Sequence, residues 1–283
     1  MRFEVSLFPD GAALLQALST GDILLAAPTK VQLVQAMARG VDLLMICGYA
    51  GGYVVFLSTK SLTVSPGDWA GVRALAASRK AAGRPLRIGV PTGSLQFVST
   101  LERLQAAGID GEKDVELVNV PFNEHVNALE AGQIDLAGAL GLFAAQGLVQ
   151  DKAKLFQHAK DTPLGHFEVG FVTTRKLATE RPDDLQDIVA AHYEAMKNIV
   201  DDPTRGLARE VAYSQLPEAV VKRTYEFLTF DFRVDVEAIR RTERVMRDLK
   251  LHTPDLGAKV SEYVDLTFLA RASGKNVGDV GKW

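Results

Sequence analysis

The sequence predicts a two-lobed α/β protein, on three observations: one strand–helix–strand phrase occurs twice, short apolar runs alternate with helical stretches, and glycine closes the helices. The first copy begins with the alternating run Phe3-Glu4-Val5-Ser6-Leu7-Phe8-Pro9 and ends in Ala17-Leu18-Ser19-Thr20-Gly21-Asp22-Ile23-Leu24-Leu25-Ala26. The second begins with Val115-Glu116-Leu117-Val118-Asn119-Val120-Pro121 and ends in Ala128-Leu129-Glu130-Ala131-Gly132-Gln133-Ile134-Asp135-Leu136-Ala137. A period-two run ended by proline, a helix capped by glycine and a second apolar run describe a βαβ unit. Two such units imply two similar lobes, and a cleft between lobes is a natural small-molecule site.

The remaining elements follow in order. Thr29 to Arg39 reads as a helix closed by Gly40, and Val41 to Ile46 and Tyr53 to Leu57 read as buried strands on either side of a glycine-rich turn. Ser65-Pro66-Gly67-Asp68 turns into a helix, and Gly83-Arg84-Pro85 breaks it. Leu86 to Val90 is a strand, Leu95 to Ala107 a helix closed by Gly108, Phe143 to Gln150 a helix, and Lys154 to His158 and Phe167 to Thr173 strands. The rest reads as helices over Pro182 to Val200, Thr204 to Tyr213, Pro217 to Phe227, Val234 to Leu249 and Pro254 to Ala272. No low-complexity linker separates the lobes, so one lobe is expected to be inserted into the other. The expected lobes are 1–86 with 170–283, and 87–169, with hinges near Pro85 and Gly165.

Composition narrows the function. The chain has 283 residues, 47% hydrophobic and 24% charged, which is ordinary for a folded globular protein. A net charge of −3 with dispersed lysines and arginines offers no field for nucleic acid. With Cys47 as the single cysteine, no intrachain disulfide, CxxC pair or zinc knuckle can form. The most lipid-like stretch, Leu43 to Leu57, is interrupted by Gly48, Gly51 and Gly52 and is too short to span a bilayer, which takes about 20 residues. The first residues carry no basic segment followed by an apolar core, so no leader is expected in this chain.

The sharpest local signal is Gly89-Val90-Pro91-Thr92-Gly93-Ser94, a strand turning through glycine into a helix. The first amides of such a helix lack intrahelical partners and lie at the positive end of its dipole. With the Thr92 and Ser94 hydroxyls they can hold an oxyanion. Thr92 or Ser94 can equally serve as the cap alone. The turn is neither a P-loop nor a Rossmann fingerprint. Thr29, after Pro28, reads as a second cap, and the turn Gly48-Tyr49-Ala50-Gly51-Gly52-Tyr53 allows close backbone approach with Tyr49 as a wall. Asn123-Glu124-His125 and Gly138-Ala139-Leu140-Gly141 follow strand ends in the second lobe. Ser94, His125 and Asp135 form a triad only on paper, and the histidines make no HxxxH or HExxH pair, so catalytic and metal sites are not expected.

The phrases Phe8 to Leu18, Gly21-Asp22-Ile23, Ile88 to Ser94 and Ala128 to Asp135 resemble the substrate-binding proteins of bacterial ABC importers in the nitrate, sulfonate, taurine and thiamine-pyrimidine group. The resemblance implies a type II periplasmic-binding fold that takes a small organic anion (a sulfonate, carboxylate or pyrimidine-like compound) between its lobes. The closed form would be presented to a membrane permease, by a monomer at the periplasmic or cell surface with no cofactor. It implies ligand contacts at Pro28, Thr29, Tyr49, Gly51, Thr92, Gly93, Ser94, Asn123 and Gly138. The chain starts at what looks like the family's second strand, so the first strand and helix of lobe 1 are expected to be missing from it. Leu24 stands where the second copy has Asp135. An enzyme on the same fold, related to thiamine-pyrimidine or menaquinone biosynthesis, is the alternative, and the cysteine-rich segment of the former is absent.

Overall fold

In the computed structural model, residues 4–8, 11–162, 164 and 166–282 are described, and they fall into two compact units. Phe3, Pro9, Asp10 and the expected hinge Gly165 lie outside the described residues. Unit 1 comprises residues 1–50, 169–197 and 231–283, and unit 2 comprises residues 51–168 and 198–230. In chain order the elements are α1 (Gly11–Thr20), α2 (Lys30–Ala38), β1 (Leu44–Gly51), β2 (Val54–Ser58), α3 (Trp69–Ala81), β3 (Leu86–Gly89) and α4 (Leu95–Ala106). They continue as β4 (Val115–Val118), α5 (His125–Glu130), β5 (Leu136–Leu140), α6 (Gly141–Val149), β6 (Lys154–His158), β7 (Val169–Thr173), α7 (Arg175–Glu180) and α8 (Pro182–Asp201). Last come α9 (Pro203–Ser214), α10 (Glu218–Tyr225), α11 (Val236–Asp248), α12 (Thr267–Ser273) and α13 (Val277–Val280).

Unit 2 is built on a sheet of strand order β4-β3-β5-β2-β6. β3 runs parallel to β4, with Ile88 opposite Leu117, and parallel to β5, with Ile88 opposite Leu136. β2 runs antiparallel to β5 and β6. The carboxyl ends of β3, β4 and β5 therefore point the same way, and the chain steps first to one side of β3 and then to the other. That reversal is where ligands bind in open α/β sheets. Val55, Leu57, Val126, Leu129, Ile134 and Phe227 make the core under this sheet. Each such side chain contributes on the order of 1.5–3 kcal/mol by leaving water.

In unit 1, β1 and β7 form an antiparallel ladder, with Leu44 opposite Thr173 and Gly48 opposite Gly170. Residues 26–29 lie along the other edge of β7 through bridges at Ala26 and Thr29. β1 is bonded on its far side by Asp231 and Phe232. Helix α11 packs on α2, and Leu33, Val34, Met45, Ile46, Ile239 and Met246 are buried.

Several expectations need correction. The first copy of the phrase keeps its helix, α1, but among the described residues 4–8 form no strand, with Val5 73% and Leu7 94% exposed. Its closing run contributes a bridge at Ala26 rather than a strand. A β-pattern becomes a strand only where neighbouring backbone is there to pair with it. The expected boundary after residue 86 lies instead between Ala50 and Gly51, because β2 ladders with β5 and β6 and α3 packs on β3. Pro85 thus lies inside unit 2, not at a crossing. Residues 198–230 join unit 2 because α10 packs on α6, and the expected boundary at 169/170 falls one residue from 168/169. Pro254 to Ala272 is not one helix but a 3-10 stretch, Gly257–Tyr263, followed by α12. No helix among the described residues is long and apolar enough to cross a membrane.

Candidate functional site

The strand-to-helix turn after β3 has the predicted form. Ser94 caps α4: its hydroxyl accepts from the Phe97 amide at 3.0 Å and donates to the Pro91 carbonyl at 2.7 Å. Gly93 takes a left-handed φ of +76° with open space where a side chain would stand. Thr92 is exposed, and its amide donates to the Asn119 side-chain carbonyl at 3.0 Å, tying this turn to the one after β4. The first helical hydrogen bond runs from the Val98 amide to the Ser94 carbonyl, so the Leu95 and Gln96 amides precede the helix's own acceptors. A 12-residue helix adds its dipole at that point. The structure shows the capping reading of the motif: the Ser94 hydroxyl is the cap of α4.

Asn123 lies exposed in the 3-10 turn Phe122–Glu124 that follows β4, at the same end of the sheet, with its amide 3.3 Å from Glu124. Next to it His125 is fully buried. Its Nε2 donates to the Val120 carbonyl at 3.0 Å, while Nδ1 has no partner among the described residues. Desolvation pulls its pKa down to about 4, so the ring is neutral at pH 7. Gly138 is not at a turn. It lies mid-β5, where an added Cβ would stand 2.6 Å from the Thr100 hydroxyl and 3.4 Å from the Gln96 carbonyl. The missing side chain lets α4 cross the sheet, and the position is mid-strand where a turn was expected.

The glycine-rich segment also differs from expectation. Gly48 to Gly51 belong to β1, and Gly51, predicted as a contact, is its buried last residue. Gly48 is bare because the Arg233 carbonyl passes 1.9 Å from where its Cβ would be, a close approach of protein backbone rather than ligand. The turn falls one residue later, at Gly52-Tyr53, where the Tyr53 amide donates to the buried Glu168 carboxylate at 2.6 Å.

In unit 1, Thr29 caps α2 in a reciprocal capping box. Its hydroxyl accepts from the Gln32 amide at 3.3 Å, and its amide donates to Gln32 Oε1 at 2.8 Å. Pro28 before it is buried. Tyr49 is half-buried on β1 and meets two rings that the sequence did not flag, Phe171 of β7 at 5.7 Å and His192 of α8 at 5.9 Å. Thr92, Gly93, Ser94 and Asn123 thus lie in unit 2 after the parallel strands β3 and β4, and Asn119 joins them through its bond to Thr92. Pro28, Thr29 and Tyr49 belong to unit 1.

The paper triad is not assembled. Ser94 and His125 are engaged as described, and Asp135 accepts from the Arg87 amide at 2.9 Å and pairs with Arg79 at 2.6 Å. Burial raises the Cys47 thiol far above its ordinary pKa, which removes it as a nucleophile. Two cavities in unit 2 are lined by other residues. One of about 620 Å³ is bordered by Phe156, His158, Lys160, Arg223 and Phe227, and one of about 560 Å³ by Arg79, Arg84, Arg87 and Asp135.

The sheet order of unit 2 is that of the periplasmic-binding-protein fold, and comparison with solved structures bears out that fold. The chain is similar to the periplasmic aliphatic sulphonate binding protein SsuA from Escherichia coli, with 18% identity, TM-score 0.71, and 89% of this chain and 79% of that one covered. The alkanesulfonate-binding protein SsuA from Xanthomonas axonopodis pv. citri, bound to MOPS, gives 20% identity, TM-score 0.73, and coverage of 92% and 86%. The periplasmic nitrate-binding protein NrtA from Synechocystis PCC 6803 gives 12% identity, TM-score 0.76, and coverage of 93% and 78%. These likenesses establish the fold. In sequence, residues 1–213 match the profile of the NMT1-like family, and the chain belongs to that family. No curated protein matches it.

Proposed function

We propose that this chain is the substrate-binding component of an ABC import system and that it captures a small organic anion, a sulfonate, carboxylate or pyrimidine-like compound. The observation that carries the reading is the Thr92–Ser94 turn: an open left-handed glycine, first-turn amides of a 12-residue helix, and Asn119 bracing the turn from the next strand end. Fixed backbone donors at a helix start suit a negatively charged group. The fold and the family support the same reading, as do the structural neighbours that bind sulfonate and nitrate. On this reading the protein is a non-enzymatic monomer at the periplasmic or cell surface that hands its ligand to a membrane permease.

The test is a thermal-shift and calorimetric panel of alkyl and aryl sulfonates, carboxylates, nitrate and pyrimidines, with sugars and divalent metals as contrasts. A ligand at a hundred times its Kd stabilises the native state by about 2.7 kcal/mol, enough to read as a clear rise in Tm. The Asn119→Ala variant, which frees the Thr92 amide, should bind the responding anion several-fold more weakly. A response confined to sugars or metals would overturn the proposal.

A further inference from the structure

The cavity of about 560 Å³ lies wholly within unit 2, at the amino end of β3, bordered by Arg79, Arg84, Pro85, Arg87, Glu116 and Asp135. Its three arginines come from three pieces of chain. Arg79 stands on the last turn of α3, Arg84 on the connection that ends in Pro85, and Arg87 on β3 between the buried Leu86 and Ile88. The Thr92–Ser94 turn follows the opposite end of β3, so this cavity is a separate place on the same unit.

Asp135 organises the group. Its carboxylate, 6% exposed, accepts from the Arg87 amide at 2.9 Å, pairs with Arg79 at 2.6 Å and lies 3.9 Å from Arg87 Nε. Arg87 also donates to the Gly132 carbonyl. Two half-buried guanidiniums are thus fixed around one buried carboxylate, each with N–H donors left over. The Arg84 guanidinium has no partner among the described residues, and neither has the Glu116 carboxylate, exposed at the rim.

Arginines near the end of a helix ordinarily answer its dipole. Here the last carbonyls of α3 are already taken: the Ala82 amide donates to Ser78 and Arg79, Gly83 to Lys80, and Arg84 to Arg79. Nor does Asp135 balance the cluster, since one buried carboxylate faces three cations before the exposed Glu116 is counted. Such an excess in a cavity favours an anion of higher charge than a carboxylate or sulfonate carries. A guanidinium fork matches phosphate oxygens in parallel pairs, and a phosphomonoester carries about two negative charges at pH 7. Glu116, opposite Arg87 in the β3–β4 register, can accept from a hydroxyl.

We propose that this cavity binds the phosphate of a small hydroxyl-bearing phosphomonoester, at a site independent of the import reading. Arg79 and Arg87, set by Asp135, hold the phosphate, and Arg84 supplies the third fork.

The probes are glycerol 3-phosphate and 2,3-dihydroxypropane-1-sulfonate, which share a body and differ in the acid group, titrated by calorimetry into the full chain. Glycerol 3-phosphate should bind, and Arg84→Gln should weaken it about tenfold, the scale of one charge-assisted hydrogen bond. Arg84 is exposed and unpaired among the described residues, so that variant should keep the wild-type Tm without ligand. Whatever binding the sulfonate shows should be the same in Arg84→Gln, and phosphate binding should survive in Asn119→Ala, which frees the Thr92 amide. The same phosphate group occurs on lipids, and cosedimentation with phosphatidate vesicles, against phosphatidylcholine alone, separates that source from the free ester. Binding in either arm that falls in Arg84→Gln supports the site. No phosphate binding in either arm, binding that Arg84→Gln leaves unchanged or Asn119→Ala abolishes, or an equal loss for the sulfonate overturns the proposal. None of these outcomes decides the import reading, which rests on the anion panel.

Discussion

The two copies of the repeated phrase have similar local patterns and different structures. In the second, Val115–Val118 and Leu136–Leu140 become β4 and β5 on either side of β3, joined through α5. In the first, α1 forms, the described part of the opening run makes no strand and is exposed over residues 4–7, and the closing run reaches β7 through the bridge at Ala26. Helices answer to residues three and four apart and form in both copies, whereas strands answer to a partner elsewhere in the chain. The difference teaches that a pattern specifies a helix almost by itself and a strand only in company.

Substitutions at equivalent positions should expose that difference. The largest contrast is Gly138→Val against Ala27→Val, which occupy the same place in the two copies. A valine at 138 collides with Thr100 and the α4 backbone and should destabilise by about 3 kcal/mol, whereas Ala27 is exposed and should stay within about 0.5 kcal/mol. Urea denaturation of both variants measures the pair. Equal effects would mean that the sheet of unit 2 yields under α4.

Next is Asp135→Leu against Leu24→Asp, each converting one copy toward the other. Asp135 is 6% exposed and satisfies the Arg87 amide and Arg79, so losing it should cost roughly 2–3 kcal/mol. Leu24 is half-buried and should cost less than half as much when changed. Equilibrium unfolding monitored by circular dichroism decides the order.

A smaller effect comes from acid. His125 has its pKa lowered from 6.5 to about 4, so the unfolded chain takes up its proton first as pH falls. Its contribution is fully present above pH 6.5 and is lost toward pH 4, amounting to about 2 kcal/mol between pH 7 and pH 5. His192, also lowered by burial, acts in the same direction within unit 1. The position equivalent to His125 in the first copy is Leu14, which cannot titrate. The pH dependence should therefore flatten in His125→Gln and be untouched by Leu14→Ala, whatever that variant does to stability itself.

The smallest expected effect is at the caps. Ser94→Ala and Thr29→Ala each remove a hydroxyl that holds a first-turn amide and should each cost about 1 kcal/mol. If the import reading holds, Ser94→Ala should leave anion affinity within about threefold, because its hydroxyl already serves Pro91 and Phe97. A much larger loss would show that the hydroxyl turns to the ligand.

Features resting on near neighbours were legible in the sequence. Asp68, Ser94 and Thr29 cap the helices they were expected to begin, and Gly21, Gly40, Gly108 and Gly132 take the left-handed turns expected at helix ends. The strand over 86–90 and the donor turn after it are likewise where the residues put them. What escaped depends on distant pairing. The bareness of Gly48 answers to Arg233, the bareness of Gly138 answers to Thr100 on a helix, and His192 meets Gly48 across 144 positions. No local spacing encodes such meetings. Asn119 was in view as part of the repeated phrase, and only its bond to Thr92 gave it a role.

The threading of the chain through its two units has a consequence for synthesis. The five-stranded sheet of unit 2 is complete once residue 158 is made, and the stretch that α10 adds follows by residue 225. Unit 1 must wait longer: β1 meets its ladder partner β7 only at residues 169–173, and α2 finds α11 only at 236–248. A nascent chain therefore carries the apolar strand β1 and the buried face of α2 unpaired while the middle of the protein is already folded. Loop closure over such separations is slow, and exposed strand edges invite association. Chains halted between residues 160 and 230 should be the most avid clients of ribosome-bound chaperones.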